Sequence, residues 1–187
     1  MNKIITILFF LLIGFVSCNK VEKDIKKIKI AEQYYSVLDS SDDTKIMELI
    51  TTEFTTIDDG LEQKYSQKEY LEWMRWDSVF EPTYKILEIQ IKDGIVKAKI
   101  SKIDKRISFL HQKPIITNEI IQFESNKITN INRTSASFDV DKFIENRDRL
   151  SNWISENHPE LVGFLNEQTK ISGMNYLKAI ELYKDKK

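Results

Sequence analysis

Cysteine, histidine, proline and glycine are all scarce in this sequence: one, two, three and five residues among 187. A single cysteine excludes an intramolecular disulfide framework and any multi-cysteine metal site. The two histidines, His111 in a turn beside Pro114 and His158 at a helix boundary, have no partner at ligand spacing. Both read as surface residues, and no metal site is expected. No glycine-rich phosphate loop and no Ser/His/Asp set appears, and no cofactor is expected. Few prolines and glycines mean few breaks, which predicts long regular elements joined by short loops. An excess of one charge is missing too. With 28 basic and 29 acidic residues, the net charge of −1 gives no electrostatic ground for nucleic acid as a partner. What is present is a 41% hydrophobic and 30% charged chain, the composition of a globule with a real core. Its length favours one domain with an appendage.

Met1-Asn2-Lys3 makes a positive start, and Ile4 to Val16 is apolar apart from Thr6 and Gly14. As a helix this run would reach ~20 Å, short of a ~30 Å hydrocarbon core, so a secretory signal fits better than a spanning helix. The run closes on Phe15-Val16-Ser17-Cys18, an apolar residue three before the cysteine and a small one directly before it. This pattern resembles the lipobox of bacterial lipoproteins. The resemblance implies a signal peptide over 1–17, cleavage before Cys18 and acylation of its sulfur. The lipid bilayer then becomes a partner and the cell envelope the location, at the outer membrane rather than the inner. Two or more acyl chains at ~0.8 kcal/mol per buried methylene anchor a protein stably. The duller alternative is a chance thiol. Lysines 20, 23, 26, 27 and 29 follow against Glu22 and Asp24. They read as a solvated tether over 18–26 and the first helical turns, with anionic headgroups as the competing contact.

Val21, Ile25, Ile28, Ala31, Tyr35 and Leu38 recur at three- and four-residue steps, which predicts a helix from about 22 to 39. Ser40-Ser41-Asp42-Asp43 breaks it and caps a short second helix through Ile46 and Ile50. Thr51 to Ile57 reads as a strand ending in the tight turn Asp58-Asp59-Gly60. Ser66, with Glu69 three residues on, is a capping box for a third helix carrying Tyr70, Trp73 and Trp76. From Pro82 the period changes to two, and four antiparallel strands are expected up to Ser135, with a hairpin at Asp93-Gly94. The apolar parity shifts to Ile103, Ile107 and Phe109, which predicts a bulge near Ser101-Lys102. Three further helices follow. The first opens at Asp139 or Asp141, the second starts at Pro159 and the last is capped by Ser172. They are long enough to form a layer on the sheet.

The order helix, short helix, strand, helix, four meandering strands defines an α+β class with a curved antiparallel sheet wrapped on N-terminal helices. It resembles the nuclear transport factor 2-like superfamily, whose members include SnoaL-like cyclases and ketosteroid isomerases. The resemblance is carried by Tyr34-Tyr35-Ser-Val-Leu-Asp-Ser-Ser-Asp, Ile46-Met-Glu-Leu-Ile, Glu53 to Asp58, Ser66-Gln-Lys-Glu-Tyr-Leu and Ile121 to Ile128. It covers about residues 27–136 and leaves 137–187 as a C-terminal helical extension. Such a cone leaves an apolar cavity at its open end. One fold of this kind hosts enzymes, carriers and interaction modules alike.

For the isomerase branch the resemblance implies Asp58 as the proton-moving base, with Tyr34 and Glu119 as donors to a developing oxyanion. That chemistry needs one carboxylate ionised and another held neutral by an apolar site. Each residue also has a plainer reading: Tyr34 as core packing, Asp58 as turn chemistry, and Glu119 as partner of Arg106 or Arg133 on a neighbouring strand. Tyr34, Trp73, Glu119 and Phe123 are the expected ligand-binding residues, although aromatics at helical spacing are commonly core. Three functions compete. The first is a lipid-anchored domain that binds a small apolar ligand or a protein partner without catalysis. The second is a SnoaL- or isomerase-type enzyme. The third is a structural module that forms a homodimer through its open sheet face.

Overall fold

The computed structural model describes residues 21–186 in full and the backbone alone for 2–20. The expectations for residue 1, and for the side chains of 2–17 and of Cys18, therefore lie outside what is described. The helix expected from about 22 to 39 belongs to α1 (Asn2–Ser40), and α2 (Ile46–Leu49) is a single turn. Strands β1 (Ile50–Asp58) and β2 (Leu61–Ser66) form a hairpin around Asp58-Asp59-Gly60, where Gly60 takes a φ of 89°. β2 is a strand the sequence pattern did not announce, since only Tyr65 in it is buried. Helix α3 (Gln67–Ser78) starts on the expected capping box, with both reciprocal hydrogen bonds between Ser66 and Glu69 in place.

β3 (Thr83–Lys92), β4 (Ile95–Ile103), β5 (Ile115–Glu124) and β6 (Lys127–Ser135) are the four antiparallel strands. β1 joins them by pairing parallel to β6, giving the order β2-β1-β6-β5-β4-β3. The expected bulge at Ser101-Lys102 is absent: β4 pairs in unbroken register there with β3 and β5, and the irregularity in β3 lies between Ile86 and Glu88. The parity shift has another cause. Asp104 accepts a hydrogen bond from the Ile107 amide at 2.5 Å and caps a new helix, α4 (Lys105–Leu110). Ile103, Ile107 and Leu110 thus follow a helical period, not a bent strand.

Ala31, Tyr34 and Leu38 of α1 pack with Phe54, Tyr70, Ile100, Ile121 and Ile131 in the main core against the sheet. A second core joins Trp76, Phe80 and Leu110 to α5 (Val140–Asn157) and α6 (Lys170–Asp185) through Leu150, Ile154, Tyr176 and Ile180. The C-terminal helices therefore cover α3 and α4 and not the sheet itself. Pro159 opens only a 3-10 turn (Pro159–Leu161), and the cap of α6 is Thr169, with Ser172 as its capping-box partner. His111 is buried at 4% exposure, against the surface placement expected of it. Its Nε2 accepts from the Asp139 amide at 2.9 Å and its Nδ1 meets the Lys113 carbonyl at 2.8 Å, so both ring nitrogens are engaged.

Candidate functional site

The site grows out of strand register. Glu119 follows the inward parity of Ile121 on β5, and on β6 Arg133 follows that of Ile131. Glu119 pairs across to Arg133, and on the other side of β6 Arg133 pairs with Asp58. Facing cross-strand residues on one side of a sheet are close neighbours, so one guanidinium stands between two carboxylates by construction. Arg133 Nε donates to Glu119 Oε2, Nη1 to Asp58 Oδ1 and Nη2 to the Tyr34 hydroxyl, each at 3.3 Å. Glu119 is otherwise engaged: Tyr35 donates to Oε2 at 2.5 Å and Thr117 to Oε1 at 2.7 Å. The Glu119 side chain is 3% exposed, whereas that of Asp58 is 55% exposed at the rim.

These surroundings fix the protonation preferences. Burial would lower the pKa of Arg133, but the charge of Glu119, with Tyr34, Asp58 and Tyr70, outweighs it and holds the guanidinium charged well above its ordinary range. Burial pushes the Tyr34 phenol up to about 12. Burial and the neighbouring Glu119 raise Tyr35 well above its ordinary value. Tyr34 also shares a hydrogen bond with the Tyr70 hydroxyl.

A cavity of about 260 Å³ opens over this cluster. Tyr35, Trp73, Ile100, Ile107, Ile115 and Phe138 supply its apolar wall, and Glu119, Arg133 and Asp58 border it. Of the expected site residues, Asp58, Trp73 and Glu119 thus meet at one cavity. Tyr34 does not line it: wholly buried, it supports Arg133 from behind, and its neighbour Tyr35 takes the wall. Phe123 is also elsewhere, near the far end of β5, with Lys27 Nζ 5.9 Å from its ring centre.

A second polar cluster on the wall escaped the sequence reading. Buried Asp77 at the end of α3 accepts from Lys102 Nζ at 2.5 Å and from the Tyr84 hydroxyl at 2.8 Å. Burial alone would raise the Asp77 pKa, but Lys102, Arg106 and the two hydrogen bonds overcome it and leave it below the ordinary value. Arg106, on the first turn of α4, lies with its guanidinium carbon 4.6 Å from the Trp76 ring centre and 5.1 Å from that of Phe80. Lys102, Tyr84 and Arg106 all line the cavity. The signal that could have found Arg106 is Asp104 three residues before Ile107, an N-cap spacing. Among the described residues no group of acids, histidines or cysteine is placed to hold a metal ion.

No protein-family model matches the chain, and no curated protein matches its sequence. Solved structures do match in shape. Bal32a, from a soil-derived mobile gene cassette, superposes with a TM-score of 0.54 at 11% identity, over 67% of this chain and 97% of its own. A nuclear transport factor 2-like protein of unknown function from Mesorhizobium loti gives 0.51 at 9% identity, over 62% of this chain and 94% of its own. The fold is nuclear transport factor 2-like. A Kribbella flavida protein named as a candidate ketosteroid isomerase has a TM-score of 0.50 at 6% identity, over 62% and 82% of the two chains. At such identities the likeness is one of fold, and function must be argued from the site. In this nuclear transport factor 2-like domain the site is a small apolar cavity with an arginine clamped across its acids.

Proposed function

We propose that this is a binding domain, held at a bacterial membrane by acylated Cys18, whose cavity takes a small, largely apolar molecule without chemical change. The observation that carries the reading is the Arg133 clamp. The isomerase assignment asks Glu119 to be a neutral donor, and here it is an ion-pair partner with both oxygens engaged. Tyr34, the second oxyanion donor of that assignment, has its hydroxyl taken up by Tyr70 and Arg133 outside the cavity. What remains open to a ligand is an apolar wall with a few convergent polar groups, the usual make-up of a binding site. The test is calorimetric titration with small aromatic ligands. Asp58→Asn is expected to leave affinity unchanged, and Trp73→Ala to weaken it.

One observation favours a second reading, an enzyme of the SnoaL or isomerase type: Asp58 and Glu119 border the same cavity. Under that reading Asp58→Asn abolishes turnover of a ketone substrate while affinity stays nearly intact.

The anchor is supported by the Ile4–Val16 run, Ser17 and the lone Cys18. The outer membrane is the proposed location, and the bilayer the proposed partner. Mass spectrometry of the mature N-terminus decides it, with an unmodified Cys18 in cells as the result against. A homodimer through the outward sheet face, where Ile120 is 39% exposed, is the proposed assembly, and light scattering reads it.

A further inference from the structure

The cavity wall carries three cations, and they are not equally occupied. Lys102 has a close carboxylate in Asp77 at 2.5 Å, and Arg133 is bound by Glu119, Asp58 and the Tyr34 hydroxyl. Arg106 is different. Among the described residues its one hydrogen bond is Nη2 to Asp104 Oδ2 at 3.4 Å, and Asp77 stands 3.9 Å away. Its Nε is enclosed and has no acceptor. A guanidinium has five N–H donors in a planar fork, and with Nε enclosed it is the Nη1–Nη2 edge of this one that still has N–H groups to give. The rings of Trp76 and Phe80 fix its position, and the side chain is only 16% exposed.

The acceptors of the wall are spoken for. Asp77 and Asp104 are buried behind it and do not line the cavity, Glu119 has both oxygens engaged, and Asp58 and Asp59 sit at the exposed rim, Asp59 accepting from the Ser135 amide. A ligand entering here therefore meets spare donors and no spare buried acceptor, and it must bring the acceptors itself. The planar fork of Arg106 matches a carboxylate, which a guanidinium binds in bidentate fashion more strongly than a neutral acceptor. The volume of about 260 Å³ is below the ~300–1,000 Å³ of drug-sized sites, which leaves room for a compact body and one short acidic arm. The rings of Trp73 and Phe138 and the aliphatic Ile107 offer apolar surface for that body.

The geometry points to a ligand class: a small aromatic carboxylate, its carboxylate on Arg106 and its ring against Trp73, Ile107 and Phe138. This assignment rests on the ligand-binding reading above. The experiment titrates the mature protein at pH 7 with indole-3-acetate and with its neutral isostere, indole-3-acetamide. The acid is expected to bind at least tenfold more tightly than the amide. Arg106→Gln, with its fold checked by circular dichroism, is expected to bring the two within threefold. If the amide binds as tightly as the acid, the cavity takes apolar ligands but the carboxylate assignment is wrong. If Arg106→Gln keeps the preference, the carboxylate does not sit on Arg106. If neither compound binds, the ligand-binding reading falls together with this one. The acid–amide comparison is made on the unaltered protein, so it decides even should the variant fail to fold.

Discussion

Arg133 and Glu119 face each other across β6 and β5, with Nε and Oε2 at 3.3 Å, inside a cluster that also binds Asp58 and Tyr34. Desolvating both charges is costly, and their attraction repays it only while both are present. Glu119→Leu alone is expected to destabilise the protein by ~3–5 kcal/mol, because it leaves the buried guanidinium only the half-exposed Asp58 as a counter-charge. Adding Arg133→Met should recover most of that loss, since an apolar pair of similar volume needs no solvation. Urea unfolding of the two singles and the double checks this. Additive losses would mean that the pair is not coupled.

Some of this architecture could be seen in the residue pattern because it is local. The Ser66–Glu69 capping box and the Asp93-Gly94 hairpin each need only neighbours a few residues apart, and both form as expected. β2 was hidden because Leu61 to Ser66 buries only Tyr65 and so shows no alternation. The site was less accessible for a different reason. Tyr34 and Tyr35 are consecutive on a helix, and which one reaches the cavity depends on how α1 is rotated over the sheet. Arg133 shows its inward parity with Ile131, but its contact with Asp58 requires the parallel pairing of β1 with β6, strands separated by most of the domain. Arg106 reads as a strand residue unless Asp104 is taken as a helix cap.

The attachment of the C-terminal helices can be probed at one glycine. Gly173 on α6 faces α3 so closely that a Cβ there would stand 3.1 Å from both the Trp76 ring and the Trp76 carbonyl oxygen. In a free helix Gly→Ala is worth ~1 kcal/mol of added stability. Here the backbone oxygen cannot move away, and overpacking of this kind costs ~1–3 kcal/mol. Gly173→Ala is therefore expected to lower the melting temperature, as scanning calorimetry would show. A raised melting temperature would mean that α6 is not seated on α3.

Asp77 gives an acid-side prediction. Its folded pKa lies below the ordinary value of 3.8 despite burial, because Lys102, Arg106 and the hydrogen bonds from Lys102 and Tyr84 favour the carboxylate. A depressed folded pKa adds stability above the unfolded pKa, and that stability is lost as pH falls through the folded one. Asp77→Asn should thus be destabilising at pH 7, by ~3–5 kcal/mol for a broken buried pair. The deficit relative to the parent should shrink below about pH 4, where the parent itself protonates in the unfolded state. Urea unfolding at pH 7, 5, 4 and 3 follows it. A deficit independent of pH would place the effect in packing and not in charge.

Tyr34 supplies the alkaline counterpart. Burial lifts its phenol from 10.0 to about 12, and burial likewise carries Tyr35, Tyr70 and Tyr84 well above their ordinary value. A raised folded pKa adds stability that is complete below the unfolded value and is lost as pH rises through the folded one. For Tyr34 that window runs from pH 10 to about 12. Absorbance at the tyrosinate band should show these phenols silent near their ordinary pKa, then appearing together in one cooperative step as the protein unfolds. Tyr34→Phe removes the hydroxyl that meets Tyr70 and Arg133, and at pH 7 it should cost ~1–3 kcal/mol for the partners left unpaired. Between pH 10 and 12 the parent loses the contribution of its neutral Tyr34 and the variant has none to lose, so the two unfolding free energies should converge. Gradual, non-cooperative ionisation of the parent in that window would show that the Tyr34–Tyr70–Arg133 cluster is open to water.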